Sequence, residues 1–573
     1  MATVSHPSET DNPTIDRQLS NDFEQPRYSK RDTLLTMAGV LMVMLLASLD
    51  QTIVSTALPR VIAELHGIDR YTWVATAYLL ASTVMVPIYG KLSDLIGRKP
   101  IFLFGVVVFL IGSAASGAAQ SMDQLIFFRA FQGIGAGALM PIAIAIVGDL
   151  FTPRERGKWQ GITGAVWAFS SIVGPTAGGW ITENTSWRWV FYVNLPVGIV
   201  ALFVLVFLMP TLHSRTKQVS IDYIGATLLV AGTVLLLLDF TWAGTEYAWL
   251  SPQIIGMLAA SLVFLTAFII YEARLERKGG QPIIEPSLFK NSIFTISTII
   301  TTIFGMGLFG SIFFIPLFVQ GVVGTSVTDS GLVLTPLMVT SMVASVVSGQ
   351  LVSRLGKYKW LAIVGMVISV AGTLLLARLD ANSTNSDVLI AMLVLGLGMG
   401  FGMALYNLIV QNALPRKIGQ ATSALVFFRS IGGTIALAAM GSIMTAAYLP
   451  AFHSALPSTV KQALPASTLS QFDNPQVLLD PNAQAQMQAG LGAHNAQLYH
   501  GLITAIKVGL AQGVHNVFLL SLGIMLIGLV VVFFLKEIPL RGGNVDKKEA
   551  SKAEAGASEE EYASESVSPV GFH

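Results

Sequence analysis

The sequence predicts an all-α integral membrane protein with fourteen transmembrane helices arranged as six, two and six. Three observations predict this fold: the composition, the number of long apolar runs and the distribution of basic residues. Of the 573 residues, 53% are hydrophobic and 12% are charged, which is far more apolar than a soluble domain. The net charge of +1 argues against a nucleic-acid partner, and the absence of cysteine excludes disulfides and cysteine nucleophiles.

Fourteen apolar runs approach or exceed the length of about 20 residues that a helix needs to cross the hydrocarbon core. The flanking segments 1–32 and 536–573 are polar and are expected to be disordered cytoplasmic tails, with no cleavable signal peptide. The predicted spans are 33–58, 72–89, 100–119, 125–148, 158–181, 190–209, 221–242, 252–271, 292–318, 330–352, 360–377, 388–410, 420–448 and 514–535.

The basic residues test this number of spans. With both termini cytoplasmic, the inner loops hold 17 of the 34 Lys and Arg residues and the outer loops hold six. Inner loops of membrane proteins carry this excess, and an error of one span would scramble it. We therefore expect a multi-pass protein of the cell (plasma) membrane, monomeric and surrounded by the lipid bilayer.

An internal repeat divides the chain into two halves. At an offset of 259 residues, Gly90 matches Gly349 and Ser171 matches Ser430. Each repeat contains six spans, so the halves have the same orientation and a substrate site between them is expected near the midplane. The predicted domains are a six-helix bundle at 33–209, two inserted helices at 210–291, and a second bundle at 292–535 that includes an outer loop at 449–513.

Two charged residues stand out inside apolar spans. Asp50 lies in the first span and Arg129 in the fourth, both in the outer half of the membrane. Because a carboxylate in hydrocarbon costs at least about 2.5 kcal/mol, an intramembrane acid is a candidate functional residue. A buried carboxyl group beside a cation is suited to proton exchange, although the alternative is a structural ion pair that holds two helices together.

The loop at residues 90–99, hereafter the latch loop, resembles the signature between spans 2 and 3 of the major facilitator superfamily. Its residues Gly90, Asp94, Gly97, Arg98 and Lys99 match that signature. Asp94 precedes a helix N-terminus, which favours a carboxylate, and Arg98 and Lys99 lie in the same turn, so this charge cluster is suited to latching one conformation. The alternative is a solvated basic loop.

Four further segments resemble the fourteen-span drug:proton antiporter branch of that superfamily: 49–59, 129–135, 174–179 and 187–196. The resemblance covers residues 30 to 540 and implies antiport of organic compounds, with a proton gradient as the energy source and no cofactor. One departure is Ser353, which stands in the second half where the first half has Asp94. The compound itself is not implied.

Other residues in the spans are candidates for conformational or substrate roles. Proline removes a helix hydrogen bond and glycines at i, i+4 allow close helix contact, so the fifth span contains a predicted hinge. Arg429, in the thirteenth span, is a candidate for conformational coupling or packing. The hinge residues are Gly174, Pro175, Gly178 and Gly179, and the candidate substrate-cavity residues are Gln132, Asp239, Gln320 and Asn407.

Residues 449–513 form a long predicted connection between the last two spans. Leu498, Leu502, Ile506 and Leu510 recur at i, i+4, which predicts an amphipathic helix on the outer face. Either this loop covers the substrate path or it is an unspecialised insertion.

Together these features predict a proton-coupled antiporter that exports lipophilic, cationic drugs or toxic organic compounds by alternating access. Its partners are a small-molecule substrate and protons. One alternative is an exporter of a specific metabolite, and another is a transport-inactive receptor. We expect no enzyme, because the spans contain no catalytic Ser/His/Asp set, and no metal site, because no His pair lies at helical spacing.

Overall fold

The computed structural model describes residues 29–65, 71–210, 220–244, 246–324, 334–465, 469, 472 and 496–540. These residues form helices and short connections, and the described part of the chain contains no β-sheet. Two large apolar cores hold the molecule together: one is built mainly from helices before residue 290, the other mainly from helices after it.

Fourteen long helices follow the predicted spans in order. Their limits are α1 Lys30–Leu65, α2 Tyr71–Ile96, α3 Arg98–Gly117, α4 Met122–Leu150, α5 Pro153–Asn184, α6 Trp189–Leu208, α7 Tyr223–Trp242, α8 Pro252–Arg277, α9 Ser292–Phe318, α10 Thr335–Leu355, α11 Lys359–Leu376, α12 Asn385–Ala413, α13 Ile418–Ala455 and α14 Ala496–Phe533.

The fifth helix differs from the others in composition. Thirteen of the fourteen helices are long and apolar enough to cross a membrane, and α5 is the exception among those described. At 32 residues it is about 48 Å long, which is sufficient to span. Its polar residues are tolerated because α5 packs between α1 and α10, so that side chains such as Thr163 and Ser170 are buried against protein.

The helix pairings repeat. In the first half, α5 and α6 pack on α1, while α2 and α3 pack on α4. In the second half, α13 and α14 pack on α9, while α10 and α11 pack on α12. The two halves meet where α5 contacts α10 and where α2 contacts α13. This arrangement matches the predicted repeat of six helices.

The inserted helices α7 and α8 pack on each other at the edge of this arrangement. Residues such as Leu262 and Val263 of α8 are exposed, as expected for a lipid-facing helix. In contrast, α7 contacts both α2 and α13, one helix from each half. The inserted pair therefore lies beside a junction between the halves.

The predicted outer loop at 449–513 has the wrong limits. Helix α13 continues to Ala455, a short helix follows at Ser458–Ala463, and α14 begins at Ala496. The predicted amphipathic helix is the first part of α14, because Leu502, Ile506 and Leu510 are buried in the second core. Most of residues 466–495 lie outside the described residues.

Both predicted tails include residues that are ordered in the structure. Residues 1–28 and 541–573 lie outside the described residues, but α1 already begins at Lys30. After α14, the Tyr358 hydroxyl donates to the Lys536 carbonyl at 2.9 Å and accepts from the Ile538 amide at 2.9 Å. Leu540 is buried. Residues 536–540 are therefore packed against the start of α11.

Candidate functional site

Asp50 lies at the centre of a buried polar network between α1, α4 and α6. Its side chain is fully buried, and Arg129 Nη1 donates to Oδ2 at 2.7 Å. Gln132 Nε2 and Asn194 Nδ2 donate to Oδ1 at 2.9 and 3.0 Å. The sequence left open whether Asp50 and Arg129 touch, and the structure places them in direct contact.

Several groups hold Arg129 in place. Nη1 also donates to Gln132 Oε1 at 2.7 Å, and Nε donates to the Val74 carbonyl at 3.3 Å. The guanidinium carbon lies 4.1 Å from the centre of the Tyr78 ring, a distance at which a cation is attracted to an aromatic face. Because Val74 and Tyr78 belong to α2, four helices form the pocket around Asp50 and Arg129: α1, α2, α4 and α6.

Asn194 was not predicted as a site residue. It follows a break in α6, which consists of Trp189–Tyr192 and Asn194–Leu208. Its Nδ2 also contacts Ser113 Oγ at 3.0 Å, and Ser113 donates to the Phe191 carbonyl at 2.9 Å. The sequence signal was an asparagine within an apolar span, two residues before Pro196.

The donors around Asp50 match an ionised carboxylate. All three neighbours present N–H groups to its two oxygens, and an ionised carboxylate only accepts hydrogen bonds. At Oδ2, any other donor would compete with the Arg129 N–H group for the oxygen.

The predicted hinge lies on the other side of α1. Ser48 and Ser170 hydroxyls are 2.6 Å apart, and Thr52 donates to the Ser170 carbonyl at 3.0 Å. A Cβ atom at Gly174 would lie 2.0 Å from Thr52 Oγ1, so only glycine fits there. Pro175 follows inside α5, Gly178 is buried, and Gly179 faces open space.

The latch loop is mostly helical in the structure: residues 90–96 end α2, Gly97 separates the helices, and residues 98–99 begin α3. It reaches the second half of the molecule. Arg98 pairs with Asp94 at 2.6 Å and with Asp149 of α4 at 2.7 Å. Asp94 Oδ2 accepts a hydrogen bond at 2.8 Å from the backbone amide of Gln420, in the first turn of α13. Gly97 has a φ of 110°, which favours glycine.

Two other latch-loop residues have different contacts. A Cβ atom at Gly90 would lie 2.0 Å from Ser423 Oγ, so glycine permits close packing of α2 on α13. Lys99 instead donates to the Val206 and Met209 carbonyls at 2.8 and 2.6 Å. A lysine side chain at a helix C-terminus satisfies free carbonyls, so Lys99 caps α6 in this structure.

The remaining candidates are dispersed. Gln132 belongs to the Asp50 network and is fully buried, so it does not face an open cavity in this state. Asp239 is 1% exposed at the end of α7, and Asn407 is buried on α12. Gln320 lies in a π-helical turn, Val319–Val323, after α9. Arg429 lies on the face of α13 that packs on Gly305. Their proposed roles stay predictions.

We call the side of the membrane that carries the latch loop the latch side. On this side the two halves are in contact, and the path between them is closed. Gln411 of α12 donates to the Ile144 carbonyl of α4 at 3.2 Å. Gly157 of α5 and Gly349 of α10 approach so closely that a Cβ on either would meet the other's carbonyl oxygen. Farther along α5, a cleft of about 400 Å³ is lined by Ile172, Val173, Thr176, Ala177 and Trp180.

The sequence profile of the Major Facilitator Superfamily matches residues 40–437. The chain belongs to this superfamily. It is 38% identical to a multidrug transporter protein, MdtP, of Bacillus subtilis, over 92% of this chain and 98% of the relative. It is 36% identical to multidrug resistance protein 3 of the same organism, over 88% and 95% of the two chains.

A solved structure shares the fold. The superfamily's proton:xylose symporter XylE superimposes with a TM-score of 0.53 and 13% identity, covering 90% of this chain and 98% of the symporter. The protein is thus a multi-pass membrane transporter of the superfamily and not an enzyme. Within the described residues, no group of three His, Cys, Asp or Glu side chains is placed to hold a metal ion.

Proposed function

We propose that the protein is a proton-driven antiporter that exports lipophilic, cationic compounds by alternating access. The observation that carries this proposal is the fully buried Asp50, which is held by Arg129, Gln132 and Asn194 from two other helices. An ionisable group in the membrane interior of a transporter is suited to a proton relay. The names of its bacterial relatives support drugs as the substrate class.

The network suggests how a proton is coupled to movement. When Asp50 is ionised, it holds α4 and α6 against α1 through three donors. When Asp50 is protonated, the contact with Arg129 is lost and the helices are free to change their packing. If a cationic substrate displaces the proton from this region, the protein carries either the proton or the substrate but not both. Exchange of protons for substrate follows if the protein changes conformation readily only when a proton or a substrate is bound.

The test uses purified protein in liposomes with an imposed pH gradient and three lipophilic dyes, one cationic, one neutral and one anionic. We expect transport of the cationic dye against proton flow, loss of that transport with an uncoupler, and loss of gradient-driven transport in Asp50→Asn. Asp123→Asn, at the exposed start of α4, is the matched control.

Each component of the proposal has its own contradicting result. Undiminished gradient-driven transport by Asp50→Asn would exclude Asp50 as the proton site. Transport of the anionic dye alone would exclude a cationic substrate. If no dye moves, an exporter of one metabolite or a receptor becomes the better description.

A further inference from the structure

A second group of contacts closes the latch side, and it comes from the segment that follows α8. We name residues 281–288 the exit segment, because the chain leaves α8 through them. Within it, the Glu285 carboxylate accepts from Lys91 Nζ at 3.3 Å through Oε1 and from Lys417 Nζ through Oε2. Lys91 lies in the latch loop of the first half, and Lys417 immediately precedes α13 of the second half. One carboxylate therefore joins both halves.

Backbone and apolar contacts place the exit segment between the halves. Gln420 of α13 donates through Nε2 to the carbonyls of Ile283 at 2.6 Å and Pro282 at 3.3 Å. Ile283 and Ile284 belong to the core of the first half. Leu288 is 2% exposed and packs in a separate apolar cluster formed with α9, α12 and α13. The segment is thus buried against both halves.

The inserted helices hold the exit segment in this position. Glu276, in the last turn of α8, accepts a hydrogen bond from the Ser287 amide at 3.2 Å. Gln281 accepts one at 3.0 Å from the Ser220 amide, just before α7. The position of Glu285 is therefore set by the α7–α8 hairpin as well as by contacts with the two six-helix halves.

We propose that Glu285 is a positioning residue that holds the latch side closed, and that the α7–α8 hairpin thereby forms a third part of this gate. This proposal rests on the alternating access proposed above, but it concerns neither the proton site nor the substrate site. Without the carboxylate, Lys91 and Lys417 would face each other as like charges, which repel. The side chains of Lys91 and Glu285 are only 11% and 14% exposed, so solvent screens their interaction incompletely.

The test measures opening directly, without reference to transport. The chain has no cysteine, so Ser348→Cys provides a single thiol. Ser348 is 1% exposed and lines a small cavity with Gly157 and Gly349 at the junction of α5 and α10. It is therefore shielded while the latch side is closed. Maleimide labelling is compared in this background with and without Glu285→Gln.

We expect Glu285→Gln to increase the labelling rate about two- to fivefold, the range for loss of a partly screened ion pair. Glu285→Asp, which keeps the charge, should restore most of the protection. Glu276→Gln is the matched control, because it removes a nearby carboxylate, keeps an acceptor for Ser287 and breaks no contact between the halves.

Unchanged labelling of Glu285→Gln would overturn the proposal. So would an equal increase in Glu276→Gln, which would indicate general loosening of the exit segment. If Glu285→Gln does not fold, Lys417→Gln replaces it and should raise labelling in the same direction but less. If no dye is transported but labelling changes as expected above, the proposed function would be contradicted and the role of Glu285 would remain intact.

Discussion

Asp50 and Arg129 depend on each other for burial. Their side chains are 0% and 2% exposed, and neither charge has access to bulk water in this state. Removing one member of a buried pair leaves an uncompensated charge, whereas removing both leaves polar groups that neighbouring amides can satisfy. The pair is thus expected to contribute little to net stability while making each single loss costly.

This asymmetry gives the first prediction. Arg129→Gln should lower the free energy of unfolding by about 3–5 kcal/mol, because it leaves the Asp50 carboxylate without its cation. Asp50→Asn/Arg129→Gln should recover most of that loss yet remain inactive in proton-driven export. Thermal unfolding of the purified single and double variants measures the coupling. Losses that simply add would show that the two charges do not stabilise each other.

The sequence identified site residues where the residue type is rare in its surroundings. Asp50 and Arg129 were identifiable because charges in apolar spans are exceptional. Asn194 and Glu285 were not identified, for different reasons. Asn194 is uncharged, and Glu285 lies in a polar connection where an acid is ordinary. Their roles depend on partners 144 and 132 residues away in sequence, which no local pattern reports.

Glycines determine how closely α5 and α10 approach on the latch side. A Cβ atom at Gly349 would lie 2.0 Å from the Gly157 carbonyl oxygen, and one at Gly157 would lie 2.5 Å from the Gly349 oxygen. Real Cβ atoms do not approach this closely, so a side chain at either position would have to move the helices apart. Because the helices belong to different halves, the strain would act on the closed gate.

The second prediction compares two glycine substitutions. Gly349→Ala should destabilise this state by about 1–3 kcal/mol, because it overpacks the junction of α5 and α10. Gly179→Ala, within α5 where nothing lies within 4 Å of the added Cβ, should be neutral or stabilise by up to about 1 kcal/mol. Thermal unfolding distinguishes them. Equal thermal stability of the two variants would mean that α5 and α10 can move apart at little cost in free energy.

The sequence predicted helices well where a long apolar run defines them. It predicted them less well where their limits depend on packing against other helices. Thirteen spans could be located because they are apolar along their length. The limits of α14 were wrong because its first part looks like a surface amphipathic helix. In the structure that stripe faces α13, and the helix continues without interruption into the membrane-spanning part.

The inserted α7–α8 hairpin lies at the periphery of the molecule and still contacts both halves. Helix α8 exposes apolar residues to the surroundings, while α7 packs beside α2 and α13. At the end of α7, Trp73 and Trp242 rings meet edge to face at 5.9 Å, and Trp249 contacts Ser442 of α13. The sequence repeat predicted the hairpin as an insertion but carried no information on which junction it lies beside.

Asp239 provides the last prediction, because it decides whether α7 belongs to the transport path. Its side chain is 1% exposed, and Oδ1 has no hydrogen-bond partner among the residues that the structure describes. Since burying a carboxylate oxygen without a hydrogen-bond partner is unfavourable, Asp239→Asn should leave stability unchanged or raise it by about 1 kcal/mol. Efflux of monovalent and divalent cationic dyes should also stay within about twofold of the parent, a difference of about 0.4 kcal/mol.

The same dyes measured in Asp50→Asn serve as the comparison, since that variant should lose gradient-driven export of both. Selective loss of the divalent dyes in Asp239→Asn would contradict the peripheral placement. In that case the Asp239 carboxylate would contact a second positive charge on the substrate, and α7 would have to expose it during the cycle. Retention of both dyes would instead leave α7 with the role that its contacts support, as a helix placed beside the junction of α2 and α13.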